Sequence, residues 1–298
     1  MAGRGAYRAW FIVPAVAGLL LIWALLSARS GDTLSRPYEG RDAAEVTLRA
    51  PEGGGEQAAA RLVERLAALG IDAVVAEASA DRMRLALRRV ADPSEAIRAV
   101  ATPDPLSFHV VEEVPPAPQA ERAGERASGG DLRPWLTGTS RADVQARAER
   151  AGPPHGLAPL IECIPGPDRR GPPLCAAWLA SAARMSSGDV QEIHLGADVR
   201  TEEPLVHVTF TPAGARAFAA LTHDAAGKMV AVLALGEVQA RPRIQALDSD
   251  GRWTFSTRTG DTTRPVAIQR ARRIAEAAKL PVLPPLVIEA VRSEPRAN

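Results

Sequence analysis

Two cysteines, Cys163 and Cys175, are the only thiols in the chain, and they enclose the loop IPGPDRRGPPL. Their spacing is too wide for a redox site of the C-x-x-C kind. No second Cys or His pair stands at zinc-ligand spacing either. Outside the cytoplasm such a pair reads as a disulfide closing a Pro/Gly-rich loop, a link that contributes about 3 kcal/mol when unstrained. The five histidines, His109, His155, His194, His207 and His223, are scattered, and His109 and His207 fall inside strand patterns. For each of them a structural or surface role competes with catalysis. No H-E-x-x-H, G-x-S-x-G, Walker or G-x-G-x-x-G pattern occurs. Gly53-Gly54-Gly55 precedes a helix pattern, but no Lys or Ser/Thr follows at phosphate-loop spacing, which favours a plain turn over an anion cradle. Glu112-Glu113 and Glu202-Glu203 are sequence neighbours that face opposite ways on a strand, so neither is an acid/base pair. No catalytic, metal-binding or cofactor-binding residue is assigned, no cofactor is expected, and the chain is expected to act without enzymatic turnover.

The 298 residues allow one or two domains, and a net charge of +1 is near balance. No basic patch interleaved with aromatics argues for nucleic acid. Alanine, arginine and proline are abundant while lysine and aromatics are scarce.

The chain opens with a charge-free run at 9–26, AWFIVPAVAGLLLIWALL. As a helix it is about 27 Å long, close to a hydrocarbon core. Trp10 and Trp23 stand near its ends, and Arg4 and Arg8 precede it. This pattern predicts a cytoplasmic N-terminus and a single anchor, with the bulk of the chain outside. A cleaved signal peptide ending near Ala28-Arg29-Ser30 is the alternative, and a buried soluble helix the third reading. No Cys follows the run, which excludes a lipoprotein, and the sequence has no second run of spanning length.

After a polar tether at 31–43, the patterns alternate. Strand signals lie at 44–49, 71–78, 83–87 and 106–111, with helices at 56–69 and from Asp92-Pro93 to 101. This β-α-β-β-α-β order is that of a ferredoxin-like half-barrel. Residues 115–130 have little to bury and read as a linker. Residues 140–151 suggest one exposed helix.

The most informative stretch is 204–247. Val206, Val208 and Phe210 alternate with His207 and Thr209, as in a half-buried strand. Thr211 offers an N-cap and Pro212 a first-turn proline, ahead of Ala213, Ala217, Phe218 and Leu221 at helical spacing. An apolar run at 229–235, punctuation at Gly236 and an extended pattern at 238–244 complete a strand, a helix and two strands. A strand near 253–256, a helix opened by Thr263 and Pro265, and the apolar close LPVLPPLVI at 280–288 follow.

The ordered run Val208, Phe210, Gly214, Ala215, Phe218, Thr222, Gly227, Lys228, Ala231, Val232, Leu235, Gly236, Val238, Pro242 and Ile244 resembles the first periplasmic domain of the SecD family of protein-translocase subunits. Upstream, Ser187-Gly188-Asp189-Val190 occupies the place of the family's T-G-x-D-V/L segment. Arg65, Leu69, Gly70 and Ile71, then Arg84, Leu87, Asp92 and Pro93, then Leu106, Phe108, Val110 and Val111 resemble the family's base. The sequence departs from the family at the hairpin, where Ala234-Leu235-Gly236 replaces Leu-Asp-Gly. It departs again at Ala240-Arg241-Pro242 in place of Ser-Ala-Pro. Leu is a poor residue for a tight primed turn, so a looser hairpin is expected.

The resemblance implies an α+β fold, with an N-terminal transmembrane helix, a ferredoxin-like base and an inserted α+β head. The expected divisions are 1–30 (cytoplasmic N-terminus and anchor), 31–43 (tether), 44–114 (base), 115–160 (linker), 161–185 (disulfide-closed region), 186–281 (head) and 282–298 (strand returning to the base, and tail). It implies a single-pass inner-membrane protein with a periplasmic bulk that contacts Sec translocase subunits and exported polypeptides without covalent chemistry. One anchor with no intramembrane acid or base does not repeat the family's proton-driven step alone. An envelope scaffold that keeps the fold without a transport role is the alternative. Phe210, Phe218, Val238 and Ile244 are the residues to inspect for polypeptide contact, with core packing as the competing role of each.

Overall fold

The computed structural model describes residues 44–51, 53–68, 71–88, 102–113, 134–164, 173–244, 251–258 and 262–293. The apolar run at 9–26, the tether, the helix expected at 92–101 and the linker at 115–130 lie outside these. Among the described residues no helix is long and apolar enough to cross a membrane. The chain forms two compact units, one ending at Ala96 and resuming at Leu286, the other running from Ile97 to Pro285.

The smaller unit begins with β1 (Ala44–Arg49), α1 (Gly55–Ala68), β2 (Asp72–Ala78) and β3 (Arg82–Arg88). Val46 and Leu48 of β1, Met83, Leu85 and Leu87 of β3, and Leu62 and Leu66 of α1 are buried. Alternation on the strands and the 3-4 spacing on the helix put these side chains on facing surfaces. Gly55 is needed at the helix start, because a Cβ there would stand 2.0 Å from the Ser79 carbonyl oxygen, and its N–H donates to the Ala80 carbonyl. The last glycine of the triplet thus serves a close approach of two backbones.

The larger unit continues with β4 (Leu106–Val111), β5 (Leu136–Gly138), α2 (Arg141–Ala151), β6 (Ala158–Ile164), β7 (Leu174–Ala180), β8 (Met185–Ser186), β9 (Val190–Ala197) and β10 (Pro204–Phe210). It then adds α3 (Pro212–Asp224), β11 (Met229–Ala234), β12 (Glu237–Ala240), β13 (Arg252–Ser256) and α4 (Arg264–Ala277). The chain finally returns to the smaller unit as β14 (Val287–Ser293).

The smaller unit's sheet has the order β14-β1-β3-β2, antiparallel throughout. This is the strand order of a split β-α-β unit, with β1 and β2 separated by one strand. Its fourth strand differs from the expected one. Leu106–Val111, expected to close the base, pairs instead with β11 of the larger unit, from Met229↔Val111 to Ala234↔Leu106. Leu106, Phe108 and Val110 point into an aromatic core there. A short alternating strand specifies that one face is buried but not which sheet receives it. On the face of the base away from its core, Glu289 bridges Arg49 and Arg82. The Arg82 and Arg49 guanidiniums hold its carboxyl below the usual carboxylate range.

The core of the larger unit is built on Phe108, Phe210, Phe218, Trp253 and Phe255. Phe210 stacks on Phe218 at 4.6 Å between centroids, and Trp253 lies 5.3 Å from Phe218 and 4.5 Å from Phe255. Thr211 caps α3 by accepting from Gly214 N, with Pro212 in the first turn, as its sequence signature requires. Gly214 admits no side chain, since a Cβ would meet the Asp189 carbonyl oxygen at 2.0 Å. β11 is apolar throughout because both its faces are covered: Val230 and Val232 meet the aromatic core, while Ala231 and Leu233 meet Val111, Trp178 and Val238.

The hairpin β11–β12 is tight, against expectation. Its two-residue loop, Leu235 and Gly236, has φ of 52° and 74°, and Ala234 pairs with Glu237 across it. Two positive φ values are the mark of a primed turn. Leu235 is held in this conformation by donating its N–H to the Pro105 carbonyl at 2.8 Å.

The stretch expected to be linker and loop also holds structure. α2, N-capped by Ser140, lays Val144 and Ala148 on Trp135, Leu136, Ile161, Ala177 and Leu179 of β5, β6 and β7. The helix is therefore half-buried and not simply exposed. β6 and β7 pair in register, with Cys163 opposite Cys175, and these two form a disulfide. The carboxylate of Glu162, 2% exposed, accepts from Arg241 Nε at 2.7 Å and Arg270 Nη1 at 2.8 Å. Arg241 lies over the Trp178 ring at 3.8 Å.

Removing the charge in Glu162→Gln takes the carboxylate away from two largely enclosed guanidiniums and is expected to cost about 3 kcal/mol in urea unfolding. Replacing Glu162, Arg241 and Arg270 together by Met is expected to cost less than the single change, and a milder single variant would refute the ionic reading. Leu235→Asn, which relieves a left-handed leucine, is expected to raise stability by about 0.5–1 kcal/mol in the same assay.

Candidate functional site

The residues singled out in the sequence separate into two sets. Phe210, Phe218, Val238 and Ile244 are 4%, 1%, 5% and 3% exposed. Phe210, Phe218 and Ile244 belong to the aromatic core, and Val238 packs with Trp178 and Leu233. Side chains so enclosed present no surface to a partner, and their role is to hold the sheets together. The Cys163–Cys175 disulfide lies beside Glu162 on the β6–β7 ladder.

Sequence reasoning missed a hydrogen-bonded pair on β4. His109 Nδ1 is 3.0 Å from the Ser181 carbonyl oxygen and its Nε2 is 3.0 Å from Ser107 Oγ. A carbonyl only accepts, so Nδ1 carries the proton and Nε2 accepts from the serine hydroxyl. Burial pushes the His109 pKa down, and the bond to the Ser181 carbonyl opposes this in part. A serine hydroxyl held by an imidazole is the start of a nucleophilic dyad. Ser107 is buried, however, and both partners of the imidazole are satisfied, so the arrangement serves as a structural bridge from β4 to Ser181. The signal in the sequence was Ser and His two apart on a strand, which places them on one face.

Among the described residues no group of three or more His, Cys, Asp or Glu side chains is placed to hold a metal ion. A cleft of about 250 Å³ is lined by Arg141, Arg270, Arg273, Glu237, Gln239 and Cys163, among others. Glu237 there pairs with Arg141 at 3.5 Å and Arg273 at 3.1 Å.

One exposed feature of the larger unit is the edge of its three-stranded sheet, ordered β13-β10-β9. β9 pairs with β10 from Pro204↔Ala197 to Phe210↔Val190, and among the described residues it has no strand on its other side. Leu195 is 46% exposed and Val199, beyond the strand end, is 98% exposed. The turn bearing Val199 is tightly bonded. One carboxylate oxygen of Asp198 accepts from Arg200 N, Thr201 N and Thr201 Oγ1, and Asp198 N donates to the Glu203 carbonyl. The bonds from Thr201 and Arg200 hold the Asp198 carboxyl below the usual range. Glu202 pairs with Arg264 at 2.7 Å and Glu203 with Arg258 at 3.0 Å.

Residues 166–278 match the family model of the SecDF P1 head subdomain. The SecD resemblance stands. This head segment contains α3, α4, the disulfide strand β7 and all three strands of the open-edged sheet. Solved structures similar to the chain include three of SecDF. A crystal structure of SecDF in a super-membrane-facing form is 19% identical, with a TM-score of 0.42, and the match covers 87% of this chain and 32% of that one. A structure of a membrane component SecDF that enhances protein export is 20% identical, with a TM-score of 0.44, covering 83% of this chain and 99% of that one. SecDF from Thermus thermophilus, a translocon-associated membrane protein, is 20% identical, with a TM-score of 0.35, covering 94% and 36%. The chain thus spans about a third of the first and the last of these. A comparison with curated protein sequences finds no match.

The half-buried imidazole gives a pH test. With its folded pKa below 6.5, His109 is protonated first in the unfolded chain. Its contribution is therefore present in full above that value and is lost as pH falls below it, until the folded pKa is reached. The difference in urea stability between the wild type and His109→Gln is expected to shrink from pH 8 to pH 5. A difference that is flat with pH would contradict the burial argument.

Proposed function

We propose that this protein works in protein export, as a membrane-tethered, extracytoplasmic SecD-like head and base that touches exported polypeptides or the Sec machinery. The observation that carries this reading is the match of residues 166–278 to the SecDF P1 head. The apolar run at 9–26 supplies the tether, and the arginines before it put the head on the far side of the membrane. The disulfide suits that compartment, where thiols are oxidised. The role requires no covalent chemistry. It requires a rigid body that presents exposed backbone and apolar side chains to a passing chain, and the head offers both at β9 and its turn.

The test is photo-crosslinking in living cells from exposed head positions, on β9 and on the β9–β10 turn. Adducts with translocase subunits or with chains in transit are expected. Adducts exclusively with other envelope components would replace this reading with that of an envelope scaffold. A head that reacts only with cytosolic proteins would end both.

A further inference from the structure

Sheet edges are normally blunted by shortness, bulges, charge or proline. β13, at the other side of the same sheet, is five residues long. β2, at the edge of the base, carries a register shift at Val75/Glu77 and exposed Asp72 and Glu77. β9 carries such features only near its start, a register irregularity at Gln191 and the exposed Glu192. It is eight residues long, contains no Lys or Pro, and from Glu192 to Ala197 runs in regular register.

Its two faces are chemically distinct. Ile193 and Leu195 stand opposite Val208 and Val206, which are buried, so both lie on the core side of the sheet. Leu195 remains 46% exposed because it is on the outermost strand. Glu192 and His194 stand opposite Thr209 and His207 on the other face, with Glu192 Oε1 2.9 Å from His194 Nε2. A strand laid along the edge would set alternate residues beside Ile193 and Leu195, where apolar side chains would cover them. The residues between would lie beside Glu192 and His194, where polar or basic side chains fit.

The edge is also fixed in advance. The Asp198 turn and the pairs of Glu202 with Arg264 and Glu203 with Arg258 tie its end to α4 and to the exit of β13. A receiving strand that is already ordered does not have to lose its own freedom on binding.

We infer that the outward edge of β9 receives an extended segment of unfolded polypeptide as an added strand, favouring segments with apolar residues at every second position. This deepens the export reading and rests on it, since it names how the head holds its polypeptide. Main-chain bonding explains how one surface serves many sequences, and the apolar alternation beside Leu195 supplies the preference.

The test uses the full chain in detergent micelles and a fluorescent peptide of about ten residues that alternates Val with Lys or Ser. Two comparison peptides keep the composition, one with the alternation scrambled and one with alternate backbone nitrogens methylated. The alternating peptide is expected to bind and to slow hydrogen exchange of the 190–197 amides, and each comparison peptide to bind at least about tenfold more weakly. Leu195→Lys, at an exposed position, is expected to weaken binding to a similar degree, while Leu174→Lys, an exposed apolar residue elsewhere, leaves it unchanged. Equal binding of the methylated peptide, or no protection of 190–197, overturns the inference, and neither readout depends on how any variant folds. So does a concentration-dependent dimer that protects the same amides and excludes peptide, because the edge would then belong to a second copy. Crosslinks to exported chains from head positions other than β9 would leave the export reading standing while this inference fails.

Discussion

The larger unit depends on one buried carboxylate. Glu162 sits on β6, yet its two oxygens are taken by guanidiniums that lie 79 and 108 residues further along the chain. An acid at 2% exposure is tolerated only when both partners are in place, because an unpaired ion loses several kcal/mol of hydration. Arg241 leaves the end of β12 and Arg270 lies midway along α4, so satisfying Glu162 sets the β6–β7 hairpin, the β11–β12 hairpin and α4 at once. Trp178 of β7 lies under Arg241, which adds a stacking constraint to the ionic one. From α4 the constraint runs outward. Arg264, at its first turn, pairs with Glu202 in the turn that closes β9 onto β10.

The aromatic cluster performs the complementary task of joining sheet to sheet. Only five phenylalanines occur in the chain, and four of them, with Trp253, meet in this one core. Phe108 reaches it from β4, 6.3 Å from Phe210 and 6.2 Å from Trp253. That contact explains why β4 departs from the base: its large apolar face finds an aromatic partner in the larger unit. The vacancy at the base edge is filled by β14, which returns after α4. The smaller unit is thus completed only by the end of the chain, and everything from Ile97 to Pro285 is an insertion in its sequence.

Local signals in the sequence were legible wherever backbone chemistry decided the outcome. Thr211-Pro212 placed the start of α3, through a cap and a first-turn proline, and Thr263-Pro265 that of α4, through the proline alone, because both devices act within one turn. Strand order was less accessible. LSFHVV has the alternation of any half-buried strand, and nothing in six residues names the neighbour. The lobe of β5, α2, β6 and β7 was hidden by its composition. Its segments are short and rich in alanine, and the prolines between them resemble those of a linker. A signal was present all the same: LIECI and LCAAWLA flank the proline loop with one cysteine each, the arrangement of a stapled hairpin. The acid inside the apolar LIECI likewise pointed to a buried ion pair. At Leu235 the sequence was misleading for a physical reason. The turn type is set by the twist of the two strands and by the bond from Leu235 N to Pro105, both tertiary, and these outweigh the preference of one side chain.

Burial reverses the logic by which contact residues are sought. The large apolar residues that mark the head in sequence, Phe210 and Phe218 foremost, are the ones most completely enclosed, since a small domain has few such side chains and needs them for its core. At β9 what remains outside is backbone, one leucine on its flank and one valine at its turn. A surface made of main chain and a few apolar atoms discriminates poorly among sequences but well between extended and folded chains, because only an extended chain presents free donors and acceptors at strand spacing. The aromatic core beneath β10 and the pairing of β10 with β9 hold that edge extended. Stability in the interior and indifference to sequence at the rim are therefore two results of the same packing.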